Sequence, residues 1–128
     1  MLLKNARVAP TLPVVDLARA RKFYEGTLGL HVAGENTANG ELWLDAGKGT
    51  MIMLYKRAAT KADNTAAGFL VDDLEATMKD LRAKGVKFEE YDFPGLKTVN
   101  GIATTDGERG AWFKDTEGNI LALAEQTN

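Results

Sequence analysis

His31 is the only histidine in the chain and there is no cysteine, which narrows the available chemistry at once. Zinc and iron sites of the usual type need three or four converging ligands, normally several histidines with carboxylates or thiolates. One imidazole and no thiol cannot furnish that set, and thiolate nucleophiles are excluded outright. What remains for proton transfer is His31, at the start of an extended run after Gly29-Leu30, together with carboxylates such as Glu41 and Asp45. An enzyme built on these would use His31 or one carboxylate as a base on a bound substrate. Glu89 and Glu90 are adjacent on an extended run, so they point to opposite faces and read as a solvated edge, not as two carboxylates cooperating across one bond. Gly47-Lys48-Gly49-Thr50 glances at a phosphate-binding loop, but the spacer and the Gly-Lys-Thr order are missing and no helix follows, so it reads as a hairpin turn. Glu108-Arg109, after Asp106-Gly107, reads as charge at a hairpin tip.

The aromatic and sulfur side chains are more suggestive. Met51, Met53 and Tyr55 alternate along one strand and must share a face. Trp43 and Trp112 stand at matching places in two similar phrases, Glu41-Leu42-Trp43-Leu44-Asp45 and Ala111-Trp112-Phe113-Lys114-Asp115. Methionine adapts to irregular partners, so these residues line either a core or an apolar, aromatic pocket.

The elements that must position them come in duplicate. Val15-Asp16-Leu17 opens a helical segment ending at Gly29, and Val71-Asp72-Asp73-Leu74 opens another ending at Gly85. In the first module, Thr11 to Val15 reads as a strand carrying Pro13. Asp16 caps a helix with Leu17, Ala20, Phe23 and Tyr24 at helical spacing, and extended runs follow at 30–34, 40–45 and 50–55. The second module follows the same order with one additional run: a strand at 68–71, a helix in which Asp72 and Glu75 fit a capping box, then extended runs at 86–91, 101–105, 111–114 and 120–125. The expected class is α+β, two βαβββ modules at about 8–56 and 66–126 joined by a polar linker at 57–65, together one domain over 1–128. Halves of about 60 residues would each be marginal alone.

Composition is that of an ordinary globular chain: 45% hydrophobic, 27% charged, net charge −2. No apolar run approaches the roughly 18 residues of a membrane span. The net charge offers little field to hold a phosphate backbone, and Arg19-Ala20-Arg21-Lys22 reads as a solvated helix face without interleaved aromatics. Neither nucleic acid nor membrane is expected as a partner. The N-terminus lacks the apolar segment of a secretory signal, and a cytoplasmic location is the expectation.

Leu12-Pro13-Val14-Val15-Asp16-Leu17, Phe23-Tyr24, Leu28-Gly29-Leu30 and the late Phe113-Lys114-Asp115-Thr116-Glu117-Gly118-Asn119 together resemble the glyoxalase/bleomycin resistance/dioxygenase group, the vicinal oxygen chelate superfamily. The resemblance runs from about Leu12 to Glu125. It implies cupped mixed sheets facing one another around a cavity, commonly in a homodimer. It also implies metal-ligand positions in the first and last strand of each module, which fall here on Ala9, Met53, Ala66 and Ala122. Those residues argue against metal catalysis of the glyoxalase, dioxygenase, epimerase or fosfomycin-transferase kind.

An apolar cavity suits binding by burial and stacking. The leading expectation is a metal-independent, homodimeric small-molecule-binding protein with no cofactor and no catalytic residue. Trp43, Met51, Met53, Tyr55, Trp112 and Ala122 are its lining candidates, and its ligand is a bulky, partly aromatic compound such as an antibiotic. The alternatives are a lyase, isomerase or dioxygenase-like enzyme with a non-standard site at His31, Glu41 or Asp45, and a structural dimer without a small ligand.

Overall fold

The computed structural model describes residues 2–126, and the chain divides between Thr60 and Lys61 into two compact units. The first contains β1 (Thr11–Val14), α1 (Leu17–Arg21), β2 (His31–Asn36), β3 (Glu41–Asp45) and β4 (Met51–Lys56). These form a four-stranded mixed sheet of order β1-β4-β3-β2. β1 runs parallel to β4, and the other neighbours are antiparallel. A parallel neighbour needs a crossover, and α1 supplies it. Asp16 is extended and its side chain accepts from the Arg19 amide at 3.0 Å, which satisfies one orphan donor of the first turn. The helix does not stay α to its end: Lys22–Thr27 is a π-helical turn, with the Leu28 amide reaching Phe23 O at 2.9 Å. Adjacent Phe23 and Tyr24 rings meet edge to face at 5.6 Å there. Gly29, at φ +79, takes the left-handed conformation that releases the chain into β2.

The second unit contains β5 (Thr65–Leu70), α2 (Leu74–Ala83), a small hairpin of β6 (Asp92–Phe93) and β7 (Leu96–Lys97), then β8 (Ala103–Thr105), β9 (Glu108–Lys114) and β10 (Ile120–Gln126). Its sheet has the order β5-β10-β9-β8, with β5 parallel to β10. The α+β class and the βαβββ order therefore hold in both units, with a hairpin added to the second.

Three local expectations are corrected. The N-cap of α2 is Asp73, which is extended and accepts from Ala76 N at 3.0 Å; Asp72 lies one residue too early to reach the first turn, and Glu75 turns to Arg109 instead. Residues 86–91 are not a strand of the sheet. Their backbone meets it at the Phe88–Phe113 bridge and through the Glu89 amide to Trp112 O at 2.8 Å, because the chain leaves the β9 edge to form the hairpin. β5 begins at Thr65, three residues earlier than the apolar pattern indicates, since backbone pairing with β10 needs no apolar side chain there.

Each sheet buries one face under its helix. In the first unit Leu12, Val14, Leu42, Leu44, Ile52 and Leu54 are buried with Ala20 and Tyr24. In the second, Ala111, Phe113, Leu121 and Leu123 are buried with Leu74 and Met78. The phrase Asp115-Thr116-Glu117-Gly118-Asn119 makes the β9–β10 turn. Asp115 Oδ1 accepts from the Glu117 and Asn119 amides, both at 2.8 Å, and Oδ2 from Asn119 Nδ2 at 2.8 Å. Asp115 and Asn119 are both buried, so this motif holds a turn together.

Strand alternation predicts unequal consequences along β4. Leu54→Ala should lower unfolding free energy by about 2–5 kcal/mol, and its half-buried neighbour Met53→Ala by no more than about 1.5 kcal/mol. Urea titration followed by circular dichroism measures both, and equal losses would contradict the two-faced sheet.

Candidate functional site

The face of each sheet turned away from its helix is half-buried and unlike the core. In the first unit, register pairs Trp43 with Met53, and Met53 with Thr11. Glu41 pairs with Tyr55, and Tyr55 with Pro13. His31 pairs with Asp45, and Asp45 with Met51. Directly paired residues share a face, so Trp43, Met51, Met53 and Tyr55 come together on one surface. His31, Glu41 and Asp45 stand on the same surface, with His31 and Asp45 exposed.

The second unit repeats the arrangement with smaller side chains. Trp112 pairs with Ala122, and Ala122 with Gly68; Ala124 pairs with Gly110. Trp43 and Trp112 thus occupy equivalent strands, and Met53 and Ala122 are equivalent partners. The Trp112 indole leans back over Gly110: a Cβ there would lie 3.5 Å from Trp112 Cη2. Indole Nε1 donates to Thr65 Oγ1 at 3.2 Å, giving the ring a fixed orientation while its face stays half-exposed.

Two aromatic residues escaped the sequence reading. The Tyr91 ring meets Trp112 at 5.6 Å and 70°, and Phe93 lies 5.7 Å from Tyr91. Phe93 is exposed by 54%. Burial, with the Glu89 charge adding, pushes the Tyr91 phenol above its ordinary range, so at neutral pH it is a neutral donor. The available signal was the spacing Tyr91-Asp92-Phe93 before Pro94-Gly95, a hairpin with aromatics on its first arm.

The positions that the family resemblance marks as metal ligands do not form a donor set. Ala9 precedes β1, Ala66 sits at the register shift between β5 and β10, and Met53 and Ala122 lie on the open faces. Methyl groups carry no lone pair and a thioether is a soft, weak donor, so these residues do not fit a zinc or iron ion. Among the described residues no group of three or more His, Asp or Glu side chains is placed to hold a metal.

Glu90 and Arg109 behave differently from their sequence reading. Glu90 is not a merely solvated carboxylate: Oε1 accepts from Thr98 Oγ1 at 2.6 Å and from the Gly101 amide at 2.9 Å. The Thr98 hydrogen bond first, then that of Gly101, with the Arg82 charge adding and burial opposing, hold it below the ordinary 4.5. Arg109 lies on the helix side of its sheet, with Nη1 3.4 Å from Glu75 and Nε 3.3 Å from Glu125; Glu125 also accepts the Leu74 amide at 2.7 Å. Arg109 therefore ties β9 to the start of α2.

Two βαβββ units, each a mixed sheet with one helix-covered and one open face, define a fold class built to present side chains from the open faces. A sequence profile of the Glyoxalase/Bleomycin resistance protein/Dioxygenase superfamily matches residues 6–123, and the chain belongs to that superfamily. Similar solved structures include a superfamily member from Sphaerobacter thermophilus (TM-score 0.73, 23% identity, covering 98% of this chain and 100% of that one). TnmS3, an antibiotic binding protein from Streptomyces sp. CB03234, has a TM-score of 0.70 at 20% identity, covering 99% and 100%. Lactoylglutathione lyase from Agrobacterium tumefaciens has a TM-score of 0.68 at 20%, covering 94% and 93%. A binder and a lyase resemble the chain equally, so these likenesses establish the fold alone. No curated protein matches it significantly. Among the described residues no helix is long and apolar enough to cross a membrane.

The depressed Glu90 sets a pH signature. Its folded pKa lies below the unfolded value, so its contribution is complete above about 4.5 and disappears as pH falls through the folded value. The melting temperature of Glu90→Gln should lie below wild type by a constant margin from pH 7 to 5, and the margin should close on further acidification. A margin unchanged at pH 3 would show that the carboxylate charge is not what holds Thr98 and Gly101.

Proposed function

We propose that this chain is a metal-independent small-molecule-binding protein of the glyoxalase/bleomycin-resistance type, which sequesters a bulky, partly aromatic compound such as an antibiotic. The observation that carries this reading is the chemistry of the two open sheet faces. Each presents a half-exposed tryptophan at the same place, one beside Met53, Met51 and Tyr55, the other on a floor of Gly68, Gly110 and Ala122 with Tyr91 and Phe93 alongside. Small residues leave room beside a rigid indole, and aromatic rings reward a planar ligand by stacking as well as by area. TnmS3 has the same fold and binds an antibiotic, which supports the same use here. The proposal includes one domain over residues 1–128, acting as a homodimer in the cytoplasm, without a cofactor.

A second reading rests on His31 and Asp45, directly opposite one another on β2 and β3. Both side chains are exposed on the same face, where a bound substrate would meet an imidazole base with a carboxylate across the strand, and an isomerase or lyase of the same superfamily would work from this corner. Activity that survives chelators and disappears in His31→Ala would favour it.

The test is native mass spectrometry of untagged protein followed by tryptophan-fluorescence titration with a panel of aromatic antibiotics, bleomycin included. The expected result is a metal-free dimer, quenching by at least one compound, and roughly tenfold or greater weakening of that compound by Trp43→Ala and by Trp112→Ala. One metal per chain, or affinities unchanged in both variants, would overturn the proposal.

A further inference from the structure

The second unit carries a groove of about 600 Å³ on the helix side of its sheet, away from the open face that bears Trp112. This lies within the roughly 300–1,000 Å³ typical of small-ligand sites. Three cationic side chains line it, Arg82, Lys97 and Arg109, against one carboxylate, Glu75. Glu125, Glu90 and Asp92 face Arg109, Arg82 and Lys97 from outside the groove, so the excess of positive charge is confined to its lining.

The cations are not equally available. Arg109 is occupied by Glu75 and Glu125. Arg82 is held in place without being neutralised by a direct ion pair: its guanidinium lies 5.1 Å from the Phe88 ring centroid and Nη2 donates to Asn100 O at 3.1 Å. That uses one of five N–H donors. The nearby Glu90 lowers the local potential, but its Oε1 is committed to Thr98 and Gly101, and neither Glu90 nor Glu125 lines the groove. The backbone beneath Arg82 is specialised for this packing. Gly101 is at φ +81, and a Cβ there would stand 3.1 Å from Met78 Cε, 3.1 Å from Phe88 Cβ and 3.2 Å from Arg82 Nη2. A guanidinium pinned on an aromatic face with donors to spare is preorganised for an oxyanion.

Met78 and Ile102 supply an apolar floor and Val99, 64% exposed, an apolar rim. These have nothing to offer a bare inorganic ion and favour a ligand with an organic part. We propose that this groove is a second binding site, separate from the open-face site, for an organic oxyanion: a carboxylate or phosphate monoester carrying a compact apolar group. Arg82 grips the oxyanion, Lys97 adds a mobile ammonium, and Val99 and Ile102 cover the apolar group.

The test is an amide NMR titration of the full chain with phenyl phosphate at constant ionic strength, with benzoate, inorganic phosphate and phenol as comparison probes. The expected result is saturable shifts at Val99, Asn100, Gly101 and Thr104 with phenyl phosphate or benzoate, weaker ones with inorganic phosphate and none with phenol. Arg82→Gln should raise the dissociation constant roughly tenfold, Lys97→Gln several-fold, and Lys22→Gln on the other unit should leave it unchanged. Lys97 is exposed on the β6–β7 hairpin, opposite Asp92 and outside the core, so Lys97→Gln keeps the test valid if Arg82→Gln unfolds. Unsaturable shifts, equal shifts with phenol, or wild-type affinity in Lys97→Gln would overturn the proposal.

Discussion

The packing of one helix against one face of each mixed sheet is the constraint from which the rest follows. Side chains alternate along a strand, so once Leu42, Leu44, Ile52 and Leu54 are buried under α1, Trp43, Met51, Met53 and Tyr55 have no choice but the other side. The same division in the second unit sends Phe113, Leu121 and Leu123 under α2 and leaves Trp112 and Ala122 open. A one-residue slip of register would exchange the two sets. The parallel pairing of β1 with β4 and of β5 with β10 guards against it, because it fixes the closing strand from both sides.

The two units spend their open faces differently. The first crowds its tryptophan with sulfur and a phenol. The second clears space around its tryptophan with glycine and alanine, then brings Tyr91 and Phe93 alongside from a hairpin the first unit lacks. On the helix side the contrast persists: ionic contacts through Arg109 tie β9 to α2, and the Glu90 carboxylate holds the turn at Thr98–Gly101. Charge in this protein stabilises loops and helix starts at the margins of an apolar core.

Much of this was legible in the residues. Asp16, Gly29 and Gly85 marked the helix limits, because capping and left-handed conformations are local requirements. The alternation of Met51, Met53 and Tyr55 announced a shared face, because strand periodicity is local too. Asp115 and Asn119 gave the family resemblance its most specific phrase, and their hydrogen bonds within one turn explain why that phrase is so recognisable. The choice between Asp72 and Asp73 as cap was not legible, since both precede the same helix and only the residue at which the first turn begins decides which carboxylate reaches an orphan amide.

By itself, then, the amino-acid sequence determined the element order, the duplication, the two faces of each strand and the lack of histidine and cysteine ligands, all properties of neighbouring residues or of composition. Tertiary structure alone decided that Tyr91 joins Trp112 with Phe93 against Tyr91, that His31 stands opposite Asp45, that Glu90 closes a turn, and that Arg82, Lys97 and Arg109 share a groove. Each of these depends on strand register or on a loop's path across the sheet. Such contacts join residues from separate elements, between which no local periodicity carries information.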